Sequence, residues 1–448
     1  MHADQTIAAI ATATGNAAIG IIRVSGPDVP RVVRTLAGNL PPPRHALLRT
    51  FRTQDDLIID RGLVLYFPAP SSYTGDDMVE FHVHGGIAVM QQLLREIYRI
   101  GARPAEPGEF SKRAFLNGKI DLLQAEGIAD LITAKSERAL RSAQAALTGE
   151  SSDLVKDLAA ELINVRALFE ATIDFSEEDL EAATLANLRS AVHGIHSRVT
   201  SILDHARHSA KLSCGINIVI IGEPNVGKSS LFNALTGQSR AIVNPRPGTT
   251  RDLLSVEVAF NGSLLTINDT AGIRDSDDDI EQEGITRALT ALNLADVVLY
   301  LYISLDPDPS FITRCRKHAA NAKLVYVRNK IDLYNLPPGC RIIDGVTEVS
   351  ISAVTGTGLP LLSETMLATL DLETDPTISP SLVRERHLNA LERARLALSF
   401  ADVSELTKMP EITAERLLEA QFALSELTGE ISNEDILGAI FSRFCIGK

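Results

Sequence analysis

Apolar residues recur along this chain with three different periods, and each period predicts a different kind of structure. In residues 1–118 they come in short runs. Ile19–Val24 ends at the turn Ser25-Gly26-Pro27, and Leu63–Phe67 and Met78–Val83 are similarly bounded by Gly or Pro. These runs predict strands, and the helical spacing of Ile87–Ile100 predicts a helix, so the section reads as α+β. From residue 119 to 212 the period is helical throughout. Leu188, Val192, Ile195, Val199, Ile202 and Ala206 fall alternately four and three apart, which lays them in one seam of a bundle or coiled coil. Residues 380–444 have the same character. Leu417, Ala420, Leu424 and Leu427 share a stripe, and Ser432 followed by Glu434 and Asp435 predicts a helix N-terminus.

Between the two helical sections the pattern changes. Ile216–Ile221, Leu264–Ile267, Val297–Leu301 and Leu324–Val327 are β-branched runs separated by helical stretches, which predicts a doubly wound, mostly parallel sheet. Each flanking section has an apolar face to bury. The expectation is that they pack together as one helical domain, with the α/β unit inserted; two separate helical domains are the alternative. The expected division is 1–118, 119–212, 213–372 and 373–448, in keeping with the roughly three domains that 448 residues predict.

Composition narrows the function classes. The net charge of −14 gives no general attraction to nucleic acid, so any RNA contact must be a local patch or come through a partner. That charge is uneven: residues 1–118 carry 12 Lys and Arg against 11 Asp and Glu, and the remainder 31 against 46. Cys214, Cys315, Cys340 and Cys445 include no CxxC pair, so neither a zinc site nor a redox motif is signalled. With no basic leader before an apolar core and no apolar run approaching a membrane span, the sequence predicts a soluble cytoplasmic protein.

The strongest chemical signal is Gly222-Glu-Pro-Asn-Val-Gly-Lys-Ser229, a GxxxxGK[ST] run lying after a predicted strand and before a predicted helix, Ser229–Leu235. Glycines let backbone N–H groups curl around phosphates, Lys228 neutralises the β- and γ-phosphates, and Ser229 offers its hydroxyl to Mg²⁺. Asn225, Val226, Gly227, Lys228, Ser229 and Ser230 are the candidate phosphate contacts. Three companions come after it in the order a GTPase needs. Asp269-Thr-Ala-Gly272 ends a strand, placing an acid near Mg²⁺ and a glycine amide near the γ-phosphate. Asn329-Lys330-Ile-Asp332 succeeds another strand, and Asp332 can accept the two hydrogen bonds that guanine offers and adenine does not. Ser352-Ala353 fits the loop behind the base. Gly248-Thr249-Thr250-Arg-Asp252 stands where a switch segment belongs; Thr250 is the candidate second protein ligand of Mg²⁺, or else a plain turn threonine. Ile273 comes directly after DTAG, where Ras-like enzymes carry a water-orienting Gln. Hydrolysis must therefore borrow a polar group and a positive charge from elsewhere, and the acidic stretch Asp275–Glu283 is one source.

DQTIAAIAT (4–12), IIRVSGP (21–27), VEFHVHGG (79–86), EPGEFSKRAFLNGKIDLLQAE (106–126) and the terminal Phe444-Cys-Ile-Gly-Lys448, taken with the G motifs, resemble the MnmE (TrmE) family of tRNA modification GTPases over essentially the whole chain. The resemblance implies an N-terminal domain that binds 5-formyl- or 5,10-methylene-tetrahydrofolate and forms the homodimer, a helical domain of two segments, and an inserted Ras-like P-loop G domain. It implies K⁺ in place of an arginine finger, held by Asn225, by Asn244 and Thr249, and by the backbone carbonyl of Arg246. The family often has Thr at the position of Asn244. Glu281 matches a glutamate that orients the hydrolytic water indirectly. Arg23, Glu80 and Lys119, with Lys448, match the folate positions; on the residues alone Arg23 and Lys119 would be surface charges. Cys445 belongs to the terminal motif and is a candidate catalytic residue, or a small hydrophobe near the tail. His82 and His84 share a strand face with no third metal ligand nearby and read as structural. Residues 13–18 depart from the family's Gly-rich segment.

The function implied by the resemblance is that of a GTPase acting with an FAD-dependent partner of the MnmG (GidA) type, in a heterotetramer, on the wobble uridine of certain tRNAs, with no membrane role. The alternatives are a ribosome-assembly GTPase switch and a folate-dependent aminomethyltransferase-like enzyme whose G domain is only regulatory.

Overall fold

The structure is a computed structural model. It describes residues 5–13, 15–174, 182–213, 216–223, 225–238, 255–260, 263–269, 292–293, 295–309, 312–313, 319, 322–369, 382–401, 410–430, 434–442 and 444–447. The chain forms two compact units. One comprises Met1–Thr133, Ala143–Leu203 and Glu385–Lys448, the other Ala134–Ser142 and Asp204–Arg384.

The first unit opens with a six-stranded sheet: β1 (Ile7–Ile10), β2 (Ala17–Ser25), β3 (Leu47–Arg52), β4 (Ile58–Phe67), β5 (Met78–Gly85) and β6 (Arg103–Pro104), in the order β3-β4-β5-β2-β1-β6. Only β1 and β6 run parallel. The helices Val29–Ala37 and Ile87–Ile100 cover one face. Val32, Val33 and Leu36 from the first, and Leu93 and Ile97 from the second, pack with Ile22, Val24, Val79 and Phe81 of the sheet. Because side chains alternate along a strand, β2 and β5 send Arg23 and Glu80 to the opposite face. There Phe110, from the helix Glu109–Leu116, joins Ile7, Ala9, Ala105 and Tyr73 in a smaller apolar group. β1 is absent from the apolar pattern because it is only four residues long, two of them alanine; Ile7, Ala8 and Ala9 are all at most 2% exposed, so nothing alternates and the run is too short to stand out.

The same unit holds the helical domain, and its two chain segments pack together. The helix Pro410–Thr428 lies against both Glu150–Asp174 and Glu385–Phe400. The predicted stripes are interior: Leu417, Ala420, Leu424 and Leu427 are fully buried, and the seam positions from Leu188 to Ala206 along Ala182–Ser213 are buried too. Where the segments meet, Glu126 of the helix Leu122–Thr133 receives hydrogen bonds from Arg386 at 2.8 Å and from His387 at 2.6 Å. Arg386 also donates to the carbonyl of Glu426 at 2.8 Å, near the end of a third helix. Burial alone would push the Glu126 carboxyl up. The His387 and Arg386 charges overcome that and hold it at about 2.

The second unit is built on a seven-stranded sheet: β7 (Ile216–Gly222), β8 (Ser255–Phe260), β9 (Ser263–Asp269), β10 (Val297–Tyr302), β11 (Lys323–Arg328), β12 (Gly339–Ile343) and β13 (Val346–Ser350). Its order is β12-β13-β11-β10-β7-β9-β8, parallel through the five inner strands and antiparallel at the two edges. Both faces are apolar. Ile218 and Ile220 pack on one side with the helices Lys228–Gln238 and Leu359–Thr369, while Val219 and Ile221 pack on the other with Tyr300 and Tyr326. Two-sided burial is why these strands read as continuous apolar runs. Among the described residues no helix is long and apolar enough to cross a membrane.

Glu126→Ala removes the shared acceptor of Arg386 and the buried His387 and is expected to cost roughly 3–5 kcal/mol, measured by denaturant unfolding. The pH dependence has a definite sign. A carboxyl lowered on folding contributes stability that is full above its unfolded value near 4.5 and is lost as the pH falls toward 2. The variant's stability is expected to be flatter than that of the native chain across this window.

Candidate functional site

The four G motifs converge because the parallel strands present their C-terminal ends together, where ligands bind in open α/β sheets. The P-loop leaves β7, Asp269 closes β9 opposite Ile220 of β7, Asn329 succeeds β11 and Ser352 succeeds β13. Two glycines are required by space. A Cβ on Gly222, at φ 154°, would lie 2.2 Å from the Leu301 carbonyl oxygen; one on Gly227, at φ 100°, would lie 2.4 Å from the Asn329 amide nitrogen. Asn225 is exposed and left-handed at φ 63°, a conformation asparagine tolerates better than most side chains. The helix beginning at Lys228 places Ser229 and Ser230 in its first turn, where free N–H groups and the dipole favour an anion. The Lys228 ammonium lies along the loop, donating to the carbonyls of Gly222 at 2.9 Å and Glu223 at 2.8 Å.

Asn329 joins the motifs. Its side-chain amide, on a residue only 3% exposed, donates to the Val226 carbonyl at 2.8 Å, and its Oδ1 accepts from the Ala353 N–H at 3.0 Å. One side chain thus ties the phosphate loop to the loop behind the base. Lys330 adds a second tie, from its ammonium to the Asn225 carbonyl at 2.8 Å. Asp332 lies exposed on the short 3-10 turn Ile331–Tyr334, and Ser352 is fully buried, its hydroxyl accepting from the Thr355 N–H at 3.2 Å. The sequence marks Asn329 as part of a base-recognition motif but carries no signal that its amide reaches back to the P-loop. Asn244, Arg246, Thr249, Thr250, Gly272 and Glu281 lie outside the described residues, as do Lys448 and the side chain of Asp269.

A second constellation lies in the first unit. Arg23 and Glu80 are register partners on β2 and β5, with hydrogen bonds to Glu80 Oε1 from Arg23 Nε at 3.1 Å and Nη2 at 2.9 Å. The guanidinium stands 5.6 Å from the Tyr73 ring centroid and 5.8 Å from that of Phe110, within cation–π range of both. A hydrogen bond from His82 is the largest influence on the Glu80 carboxyl; it and the Arg23 charge outweigh burial and hold the group below its usual range. His84 instead bonds Asp60 at 2.9 Å, so the two histidines orient different carboxylates. Among the described residues no group of side chains could hold a metal ion. Arg23 and Glu80 line an open cleft of about 710 Å³ with Tyr73, Arg44, Ile128 and Leu147. Lys119 is exposed and is not part of this wall; it lies against Gly75.

The end of the chain docks beside this sheet. A Cβ on Gly447 would lie 2.3 Å from the Ile10 carbonyl oxygen, and the Gly108 N–H donates to the Cys445 carbonyl at 3.4 Å. The Cys445 side chain is exposed.

Comparison with known proteins converges on one family. The model described as "MnmE helical domain" matches residues 122–445, and that described as "GTP-binding protein TrmE N-terminus" matches residues 6–119. The tRNA modification GTPase MnmE of Nitrosomonas eutropha is 43% identical over the full length of both chains. That of Azoarcus sp. is 45% identical, covering 99% of this chain and 98% of the relative, and that of Ralstonia nicotianae is 44% identical over 99% and 96%. Among solved structures, the G domain of the T. maritima FeoB iron transporter is 26% identical over 34% of this chain and 98% of that one, with a TM-score of 0.28.

Asn329→Ala leaves the Val226 carbonyl and the Ala353 N–H without their partner and is expected to cost roughly 1–3 kcal/mol of stability. GTP affinity measured by fluorescent-nucleotide titration is expected to fall with it, since both loops lose the tie that fixes their spacing.

Proposed function

The chain belongs to the MnmE family of tRNA modification GTPases, and we propose that it hydrolyses GTP in a K⁺-dependent cycle serving modification of the tRNA wobble uridine. The observation that carries the nucleotide reading is the Asn329 amide, which fixes the phosphate loop and the base loop at one spacing. Lys228 then neutralises phosphate charge at the head of its helix. Ser229 and Thr250 would be the protein ligands of Mg²⁺ and Asp269 an acid beside it, and Asp332 would accept from the guanine edge. Val226, Gly227, Ser230, Lys330, Ser352 and Ala353 shape the same pocket.

The hydrolytic step lacks an obvious donor within the loop, since Ile273 cannot orient water. Asn225 offers a side-chain amide oxygen at the exposed crest of the P-loop, the chemistry K⁺ takes; Asn244, Thr249 and the Arg246 carbonyl complete the proposed ligand set. When bound, K⁺ supplies the positive charge that an arginine finger supplies elsewhere. Glu281 acts on the attacking water through an intermediate group. Association of G domains within a homodimer brings this arrangement together.

The Arg23–Glu80 cleft suits a reduced folate, 5-formyl- or 5,10-methylene-tetrahydrofolate. Its volume falls within the range of small-molecule sites, Phe67 and Tyr73 offer it aromatic surface, and Glu80 is held ionised to accept pterin N–H groups. Arg23, Lys119 and Lys448 are the proposed cations for the carboxylates, and Cys445 the exposed nucleophile nearest the terminus. With an FAD-dependent MnmG (GidA)-type partner in a cytoplasmic heterotetramer, the folate's one-carbon unit would supply the methylene carbon attached to C5 of the wobble uridine, and an amine co-substrate the remainder of an aminomethyl-type group such as carboxymethylaminomethyl.

Nucleoside composition of tRNA from a strain lacking this protein decides the reading. Loss of the C5 modification at the wobble position is expected; unchanged wobble uridines accompanied by ribosomal subunit precursors would establish the assembly-factor alternative. For the purified chain, GTP hydrolysis is expected to run several-fold faster in KCl than in NaCl at equal ionic strength, and equal rates would remove K⁺ from the mechanism.

A further inference from the structure

On the helix-covered side of the N-terminal sheet, away from the constellations described above, four arginines line one open cleft of about 750 Å³: Arg31 and Arg34 on the helix Val29–Ala37, Arg52 at the end of β3 and Arg99 in the last turn of Ile87–Ile100. Thr35, Thr50, Thr53 and Gln54 share the wall, so its lining is mostly polar. The acids in reach are few. Asp28 stands 3.8 Å from Arg31, Asp56 3.3 Å from Arg52 and Glu96 2.7 Å from Arg99. The Arg31–Asp28 and Arg52–Asp56 pairs are exposed on both sides and hold their partners by about a kcal/mol or less, which an incoming anion can displace, whereas Arg99 is tied to the buried Glu96. Part of the cluster answers to the fold itself: Arg31 caps the helix Ile87–Ile100 through its last carbonyl. Arg34 answers to nothing of the kind. It is exposed and has no ion pair among the described residues.

We propose that this arginine cleft is a contact site for the sugar–phosphate backbone of tRNA. The inference rests on the tRNA reading above and assigns it a place in the molecule. A chain of net charge −14 repels a polyanion on average, so a tRNA contact requires a local concentration of cations. Residues 1–118 carry a slight positive excess while the rest of the chain is strongly acidic, and this cleft gathers a third of their basic residues, four of the 12. Arginine's planar fork matches phosphate oxygens in pairs, and hydroxyl and amide side chains are the usual company of backbone contacts. An open cleft of this width fits a backbone passing over the surface, not a base held in an enclosed pocket.

The test is a salt titration of the binding of unfractionated tRNA by the full chain and by R34E/R52E. If the cleft is the contact, the variant binds roughly tenfold or more weakly, and the slope of log affinity against log salt falls by about 1 for each arginine removed. R34K/R52K, which keeps the charge, should retain the slope. GTP hydrolysis and reduced-folate binding should be unchanged in both variants, showing that the fold is intact. Unaltered tRNA affinity and slope in R34E/R52E would overturn the proposal, as would absence of tRNA binding by the native chain. Restoration of wobble-uridine modification in the deletion strain separates the two levels. If the native gene restores it and R34E/R52E does so equally well, this cleft is wrong and the tRNA reading stands. If the deletion strain never lost the modification, the tRNA reading itself falls.

Discussion

Residues 126 and 386 are 260 positions apart, yet Arg386 and Glu126 form a hydrogen-bonded ion pair in the interior. That contact is the constraint on which the architecture depends. The helical domain is written in two pieces with a whole α/β unit between them, so its core exists only if the chain returns to where it left. Loop-closure entropy does not forbid this, since each doubling of loop length adds only about 0.6 kcal/mol. The difficulty is specificity. Apolar stripes on helices tolerate several registers, whereas a buried carboxylate has one place where two cations meet it. Glu126 therefore fixes the register that Leu417, Ala420, Leu424 and Leu427 fill with apolar surface.

The second unit solves a related problem with a neutral group. Its motifs come from loops at residues 222–229, 329–332 and 352–353, and they must hold a nucleotide at a fixed separation. Asn329 does so with both ends of one amide, a donor to Val226 and an acceptor from Ala353. A charged residue would cost desolvation, and a hydroxyl would span less distance. The same crowding explains Gly227, whose missing side chain is the space that the Asn329 amide occupies.

Much of this was legible in the sequence. The inner strands of the second unit stand out because both faces are buried and their central residues are almost all apolar. The helical seams stand out because their period is sustained over many turns. β1 is covered on both faces too, but four residues, two of them alanine, are too short a run to stand out. The candidate nucleotide residues could be named from motif and context, but their interlocking could not, because hydrogen bonds between residues 103 positions apart leave no local trace. Likewise Arg23 read as a surface charge on its own. Only the fold shows it packed between two aromatic rings and paired with Glu80.

Two segments, 106–126 and the terminal 445–448, are the most distinctive in the sequence, and the structure brings them together. Gly108 sits where a side chain would strike the Phe441 carbonyl and the Phe444 ring, and its N–H reaches the Cys445 carbonyl. Leu122 and Ala125 pack with Leu437, Ile440, Phe441 and Phe444 in one apolar group. Gly447 then passes so close to Ile10 that no larger residue fits. The identities of these residues are thus set by mutual contact as well as by any chemistry. A tail anchored at Phe444 and Gly447 holds Cys445 between two fixed points, exposed yet positioned. A thiol that only filled space would be buried; here the buried neighbours do the packing and leave the thiol facing outward.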